Sequence, residues 1–202
     1  SHHPPAAAHH AEGPGWTMYQ DFTMTSRFRG KYLSVIPVGF THVTFPRSGN
    51  HYTYKKVTTT VHNIIVGKLW IDNHGEMEII NHTTGEKALV KFHQYSYFSK
   101  DTHRKVMGFV KNAAGDDVYV LQGTWDDHID VMKVNQSRAK SDKSRKIETD
   151  AAQRLWTVNP PYPGNERMHH FTRLAVELNE AEEGVAPTDS RIRPDQRLME
   201  VG

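Results

Sequence analysis

Between Thr17 and Val134 the chain alternates apolar and polar residues in short runs, and turn-forming residues separate the runs. A period of two marks strands with one face covered. Tyr32-Leu33-Ser34-Val35-Ile36 is such a run, and Pro37, which has no N–H to give a ladder, is expected to end it. Thr41 to Phe45 alternates again. Arg47-Ser48-Gly49-Asn50 is turn chemistry, and His51 to Tyr54 resumes the strand pattern. Lys55 to Val61 is rich in β-branched residues, which favour strands. Asn73-His74-Gly75 predicts a turn between strands at Lys68–Ile71 and Met77–Ile80. Thr83 to Glu86 predicts a turn into Ala88–Phe92, and Ala114 to Asp117 joins Val106–Val110 to Val118–Leu121. Strands at this spacing predict an antiparallel meander. A meander this long has to curl or close, because open edges invite pairing with other chains. The expected fold is all-β, an antiparallel meander forming part of a large ligand-binding β-barrel.

The tail reads differently. Residues 136–150 carry Arg138, Lys140, Lys143, Arg145 and Lys146 with few apolar residues, and predict an exposed charged loop. It reads either as a solvated insertion or as a contact for an anionic membrane. Asn159-Pro160-Pro161-Tyr162-Pro163-Gly164 excludes a helix there. Phe171 to Leu178 fits a strand through Leu174, Val176 and Leu178, with a short helix as the alternative. From Pro187 onward the chain reads as polar surface loop with a possible helix start. The division expected is a β-meander core over 1–135, the charged loop over 136–150, and a final strand with an irregular or helical extension over 151–202.

At 202 residues the chain is long enough for one domain with a sizeable core. No apolar run approaches the roughly 18 residues of a spanning helix. A net charge of +2 is too small to point to nucleic acid. The chain has no cysteine, so it has neither a disulfide framework nor a thiolate metal site.

Ser1-His2-His3-Pro4-Pro5 is the most informative stretch. Each proline fixes its own φ and extends the residue before it, so His3 and Pro4 are stiffened before any ligand arrives. Paired imidazoles donate hydrogen bonds and become charged near neutral pH, which suits a phosphate monoester. By composition alone, an exposed run of this kind is most often a solvated tail, and a metal contact or a tag remnant is a further reading. So rich a motif at residue 1 suggests that a larger domain continues around this chain.

Two further runs complete the pattern: Val61-His62-Asn63-Ile64-Ile65-Val66-Gly67-Lys68-Leu69-Trp70-Ile71-Asp72, and Pro187-Thr188-Asp189-Ser190-Arg191-Ile192-Arg193-Pro194-Asp195-Gln196-Arg197. In this order the three runs resemble the lipid-transfer domain of the oxysterol-binding protein family, over nearly the whole chain. Ala6 to His10, Phe28 to Ser34, Tyr95 to Ser99 and Gly123 to Asp126 fit its founding subgroup. The stretch around Ser137 to Asp150 fits least.

The resemblance implies an intracellular lipid-transfer protein with no catalytic residue and no cofactor. It would bind sterol or oxysterol in a barrel tunnel and exchange it for phosphatidylinositol 4-phosphate. It implies that His2 and His3 hold the headgroup phosphate, supported by Pro4 and Pro5. It also implies peripheral contact with membranes of the endoplasmic reticulum and Golgi from the cytoplasmic side, and no nucleic acid. Headgroup contacts from segments on either side would be missing here, so this chain alone is expected to be poorly soluble and not to transfer lipid. A lipid sensor that binds without transferring is the alternative. In the long motif Ile64, Ile65, Val66, Leu69, Trp70 and Ile71 read as core strand residues, with Gly67 as a bend and His62 and Asn63 satisfied inside. Asp189 to Arg197 reads as a surface ion-pair network, with a lesser phosphate role for Arg191, Arg193 or Arg197.

Two rivals come from other classes. A metalloenzyme would use His2, His3, His9, His10, His169 and His170, yet no zinc-binding spacing occurs. A glycosidase would use strand acids such as Glu76, Glu78, Asp126 and Asp127 beside Trp125, yet nothing fixes a carboxylate pair.

Overall fold

The structure is a computed structural model that describes residues 5–96, 103–135, 147–177 and 182–187. His2, His3, Pro4, Leu178, the run Asp189 to Arg197 and most of the charged loop (136–146) lie outside the described residues. The chain divides into two units, Ser1–Val158 and Asn159–Gly202.

Among the described residues, the first unit is a twelve-stranded sheet, antiparallel at every pairing. Its strands are β1 (Ala6–Gly13), β2 (Trp16–Phe28), β3 (Tyr32–Val38), β4 (Thr41–Phe45), β5 (Asn50–Tyr54), β6 (Thr58–His62), β7 (Trp70–Asn81), β8 (Lys87–Phe92), β9 (Lys105–Lys111), β10 (Asp117–Thr124), β11 (His128–Lys133) and β12 (Gln153–Thr157). The meander predicted from period-two alternation is therefore present. It begins earlier than the pattern suggested, since β1 starts at Ala6, and it gains β12 in the tail.

The pairing path runs β12-β11-β10-β9-β8-β7-β5-β4-β2-β3-β6 and returns to β7, which closes a ring of six segments. The registers show what this ring is. Val38 pairs with Thr23 and Thr41 pairs with Gln20, so β3 and β4 continue one line along β2. Tyr54 pairs with Ile79 and Thr58 with His74, so β5 and β6 continue one line along β7 with a one-residue slip. Two long adjacent strands are thus interrupted side by side, at Gly39–Phe40 and at Lys55–Val57. The ring outlines that interruption. Breaks and bulges of this kind let a long sheet coil.

Three local expectations need correction. Pro37 lies inside β3, where it pairs only toward β2; β6 reaches no further than Val35. A missing N–H is tolerated at that unpaired edge. Asn73-His74-Gly75 is not a turn, because β7 runs straight through it. Gly75, at φ 128°, sits where pairing passes from β6 to β8. The end of the charged loop is paired, since Thr149 bridges Val134 and the Asp150 N–H donates to the Lys133 carbonyl at 2.9 Å.

The described residues do not form a sizeable core. Among the described residues, the buried apolar side chains are Val90, Val106, Val120 and Val134. Six buried residues are polar: Gln20, Thr41, Thr53, Thr60, Asp72 and Asn81. A single sheet without a second layer leaves its apolar face half open.

In the second unit, Gly164, at φ 88°, leads into a 3₁₀ turn over Asn165–Met168. Arg173–Glu177 is a short helix rather than the strand favoured from Leu174 and Val176. Thr172 explains the choice: its Oγ1 accepts the Ala175 N–H at 3.2 Å as an N-cap. Arg173 and Glu177 pair at 2.6 Å one turn apart.

Candidate functional site

Of the four motif residues expected to serve a phosphate, the structure describes Pro5. Its carbonyl accepts the Met24 N–H at 3.0 Å, one step beyond the Ala6–Thr23 pair that ends the β1–β2 ladder. The motif therefore joins the sheet at Met24, on the stretch of β2 that leads on to Arg27 and the turn into β3.

Cα partners of an antiparallel pair project to the same face. The registers then assemble one largely apolar face. Leu33, Val61 and Ile71 form one row, and Met18, Val43 and Tyr52 another. Ile79, Ala88 and Val110 form a third, and Phe92 pairs with Val106. Within it sits a polar pair, Gln20 opposite Thr41. Gln20 is 2% exposed and Thr41 1%, yet both atoms of the Gln20 amide and the Thr41 hydroxyl lack a hydrogen-bond partner. Orphan polar atoms on an apolar wall are suited to the polar end of an otherwise greasy ligand. The sequence held a signal for Gln20: it is the polar residue in the series Met18, Gln20, Phe22, Met24 on one side of β2.

The opposite face is polar and aromatic. Tyr19 stacks on His42 at 4.7 Å, His42 faces His51 at 5.3 Å, and His51 lies 5.2 Å from His82. His42 Nδ1 and His51 Nε2 are hydrogen-bonded at 3.0 Å, and Thr53 Oγ1 and His82 Nε2 at 2.8 Å. Burial holds the His51 pKa below its ordinary 6.5, helped by the neighbouring His42 and His82. Burial also lowers His62, against the pull of Asp72, and lowers His93 beside Lys105 and Lys91. Such imidazoles accept protons more readily in the unfolded chain. Stability is then greatest above the unfolded pKa and falls as the pH drops from there through the lower folded value. Urea midpoints are expected to decrease between about pH 7.5 and 5.5, with a shallower slope in His51→Gln. Equal slopes would show that the stack does not titrate on unfolding.

The rival chemistries do not assemble among the described residues. Among the described residues, no group of three His, Asp or Glu could hold a metal ion. The acids weighed for glycoside hydrolysis are engaged: Glu78 with Lys87 at 3.1 Å, Glu76 with Lys91 at 3.9 Å, Asp126 with Arg104, and Asp127 with His128 at 2.7 Å. A cavity of about 600 Å³ lies over β7, β8 and β9, lined by Leu89, Met107, Phe109 and Lys91, on the polar face rather than the apolar wall.

The long motif corrects the sequence reading. Residues 63–69 form a loop between β6 and β7, and Ile65 and Val66 are 71% and 79% exposed. Trp70 is the first strand residue and stacks on His62 at 4.0 Å. Asp72, 1% exposed, accepts the Tyr95 N–H at 3.0 Å.

The chain as a whole is similar to known proteins. Oxysterol-binding protein 2 of Mus musculus is 52% identical over 205 residues, covering all of this chain and 23% of the relative. Oxysterol-binding protein-related protein 3 of Homo sapiens is 36% identical over 207 residues, covering all of this chain and 22% of the relative. The chain thus spans under a quarter of these relatives' length. The solved Osh1 ORD domain in complex with ergosterol superposes with a TM-score of 0.77 at 30% identity, covering the whole chain and 50% of that domain. The Osh3 ORD of Saccharomyces cerevisiae, solved with PI(4)P, gives 0.76 at 25% identity, covering the whole chain and 51% of that domain. The antiparallel meander is thus part of the barrel these domains share. The family binds lipids rather than catalysing reactions. Its sequence profile, described as oxysterol-binding protein, matches residues 1–202, and the chain belongs to that family.

Proposed function

We propose that this chain forms half the wall of a lipid-transfer domain that carries a sterol and exchanges it for phosphatidylinositol 4-phosphate between membranes. The observation that carries the reading is the half-open apolar face, with its orphan Gln20–Thr41 pair. An elongated apolar molecule with one hydroxyl complements such a wall. The solved relatives that carry ergosterol and PI(4)P support it. Burying about 400 Å² of sterol would contribute about 10 kcal/mol against water. The competing state is a bilayer, which is as apolar as the wall, so most of that term cancels. Shape and a few polar contacts decide the remainder. A lipid with a charged headgroup competes for the same space through contacts that sterol lacks, which gives the cycle a direction. In this reading His2 and His3 take the headgroup phosphate, and Pro4 and Pro5 hold them in place. The protein would work on the cytoplasmic side, at contacts of the endoplasmic reticulum with the Golgi.

The test is displacement of a fluorescent sterol from the full-length protein by phosphatidylinositol 4-phosphate, followed by transfer between two liposome populations. Competitive displacement and transfer of both lipids are expected, with Gln20→Leu binding sterol about tenfold more weakly. Binding without extraction would leave a lipid sensor. No competition between the two lipids would refute the shared cavity.

A further inference from the structure

The end of the sheet where β2 turns into β3 and β6 leads to β7 carries an unusual surface. Ile64, Ile65, Val66 and Leu69 are 38%, 71%, 79% and 57% exposed, and Phe28 beside them is 58% exposed. Apolar side chains presented together to water mark a contact. This loop is held in shape rather than loose. Asn63 takes φ 59°, and its Nδ2 donates to the Lys68 carbonyl at 3.0 Å across the loop; Gly67 turns the chain at φ 98°.

The β2–β3 turn lies against it. The Asn63 N–H donates to the Lys31 carbonyl at 3.2 Å, and Tyr32 pairs with His62. The two segments bring Arg27, Arg29, Lys31 and Lys68 to one tip, all exposed. Neither segment, 26–32 or 62–71, contains a carboxylate. We infer that this tip docks on the surface of an anionic bilayer, with Ile65 and Val66 entering the headgroup layer and the four cations meeting lipid phosphates and carboxylates. Charge complementarity selects that partner, because an apolar protrusion flanked by Arg27, Arg29, Lys31 and Lys68 matches a negative, deformable, apolar-cored surface. The contact lies at the tip formed by the two connecting segments and is proposed for the bilayer surface, whichever lipid fills the tunnel.

Flotation of the full-length protein with vesicles free of sterol and phosphoinositide tests it, so that failure here leaves the exchange assay standing. Phosphatidylcholine vesicles are compared with phosphatidylcholine–phosphatidylserine vesicles. The protein is expected to partition preferentially to the latter. Arg29→Gln with Lys31→Gln should reduce that partition about 25-fold, each cation being worth about fivefold. Ile65→Asn with Val66→Asn should reduce it tenfold or more, with no loss of melting temperature. Equal partition of either double variant overturns the proposal, as does equal binding to neutral vesicles. A lowered melting temperature of the Ile65/Val66 variant also overturns it, since that would show a loop covered by protein rather than lipid.

Discussion

Replacing His2 and His3 with alanine is expected to weaken phosphoinositide binding by about 10²–10⁴-fold while sterol binding changes little. Hydrogen bonds to a charged group contribute roughly 1.5–3 kcal/mol each, and each 1.4 kcal/mol is a factor of ten. A sterol has no phosphate and forfeits nothing. The prolines sharpen the effect: Pro4 restricts His3 and Pro5 restricts Pro4, so in the proposed site His3 would meet the phosphate with little ordering cost. Anchoring of Pro5 to Met24 fixes the root of the motif to the ladder. Sterol displacement by phosphatidylinositol 4-phosphate, titrated on wild type and the double variant, reads both affinities at once. Equal displacement in the two proteins would remove the pair from the headgroup site. A parallel loss of sterol binding would make its role structural.

The meander was legible because its turns carry their own chemistry. Arg47-Ser48-Gly49-Asn50 and Thr83-Thr84-Gly85-Glu86 end strands where they should, with Gly49 and Gly85 at φ 68° and 78°. The misreadings share a cause: sequence shows what a residue prefers, and pairing partners decide what it does. Asn73-His74-Gly75 has turn composition, yet β6 pairs along the strand as far as His74 and β8 takes over at Gly75, so the strand continues. Ala6 to Gly13 does not alternate, yet β2 is long enough to hold it as β1 across eight pairs. An apolar run such as Ile64 to Ile71 reads as buried strand whether or not anything covers it, because periodicity carries no information about partners. The candidate site was legible unevenly. The histidine pair is proposed on motif chemistry and family resemblance, and it lies outside the described residues. The Gln20–Thr41 pair required the register, since only cross-strand pairing sets an orphan amide beside an orphan hydroxyl.

Gly39→Ala is expected to destabilise the protein by about 3–5 kcal/mol. Gly39 sits in the interruption between β3 and β4 at φ 140°, a conformation that L side chains rarely adopt. A Cβ there would lie 2.3 Å from the Asp21 carbonyl oxygen and 3.0 Å from the Phe22 Cα. The obstruction is backbone, so β2 has to move. Backbone strain costs roughly 1–3 kcal/mol and overpacking a further 1–3, against a total stability of roughly 5–15 kcal/mol. The contacts around the break would shift with it, including Lys56 over the Phe22 ring at 5.2 Å and Lys55 over Phe40 at 4.4 Å. Gly30→Ala is the matched comparison: its φ is 76° and nothing lies within 4 Å of the added methyl, so it carries strain without collision. Urea denaturation of the two variants separates the effects. If Gly39→Ala costs no more than Gly30→Ala, the interruption is a slack seam. If it costs the additional 2 kcal/mol or so expected of a collision, then the close approach of the Gly39 and Asp21–Phe22 backbones is a tight packing constraint at the interruption, one that only a residue without a side chain satisfies.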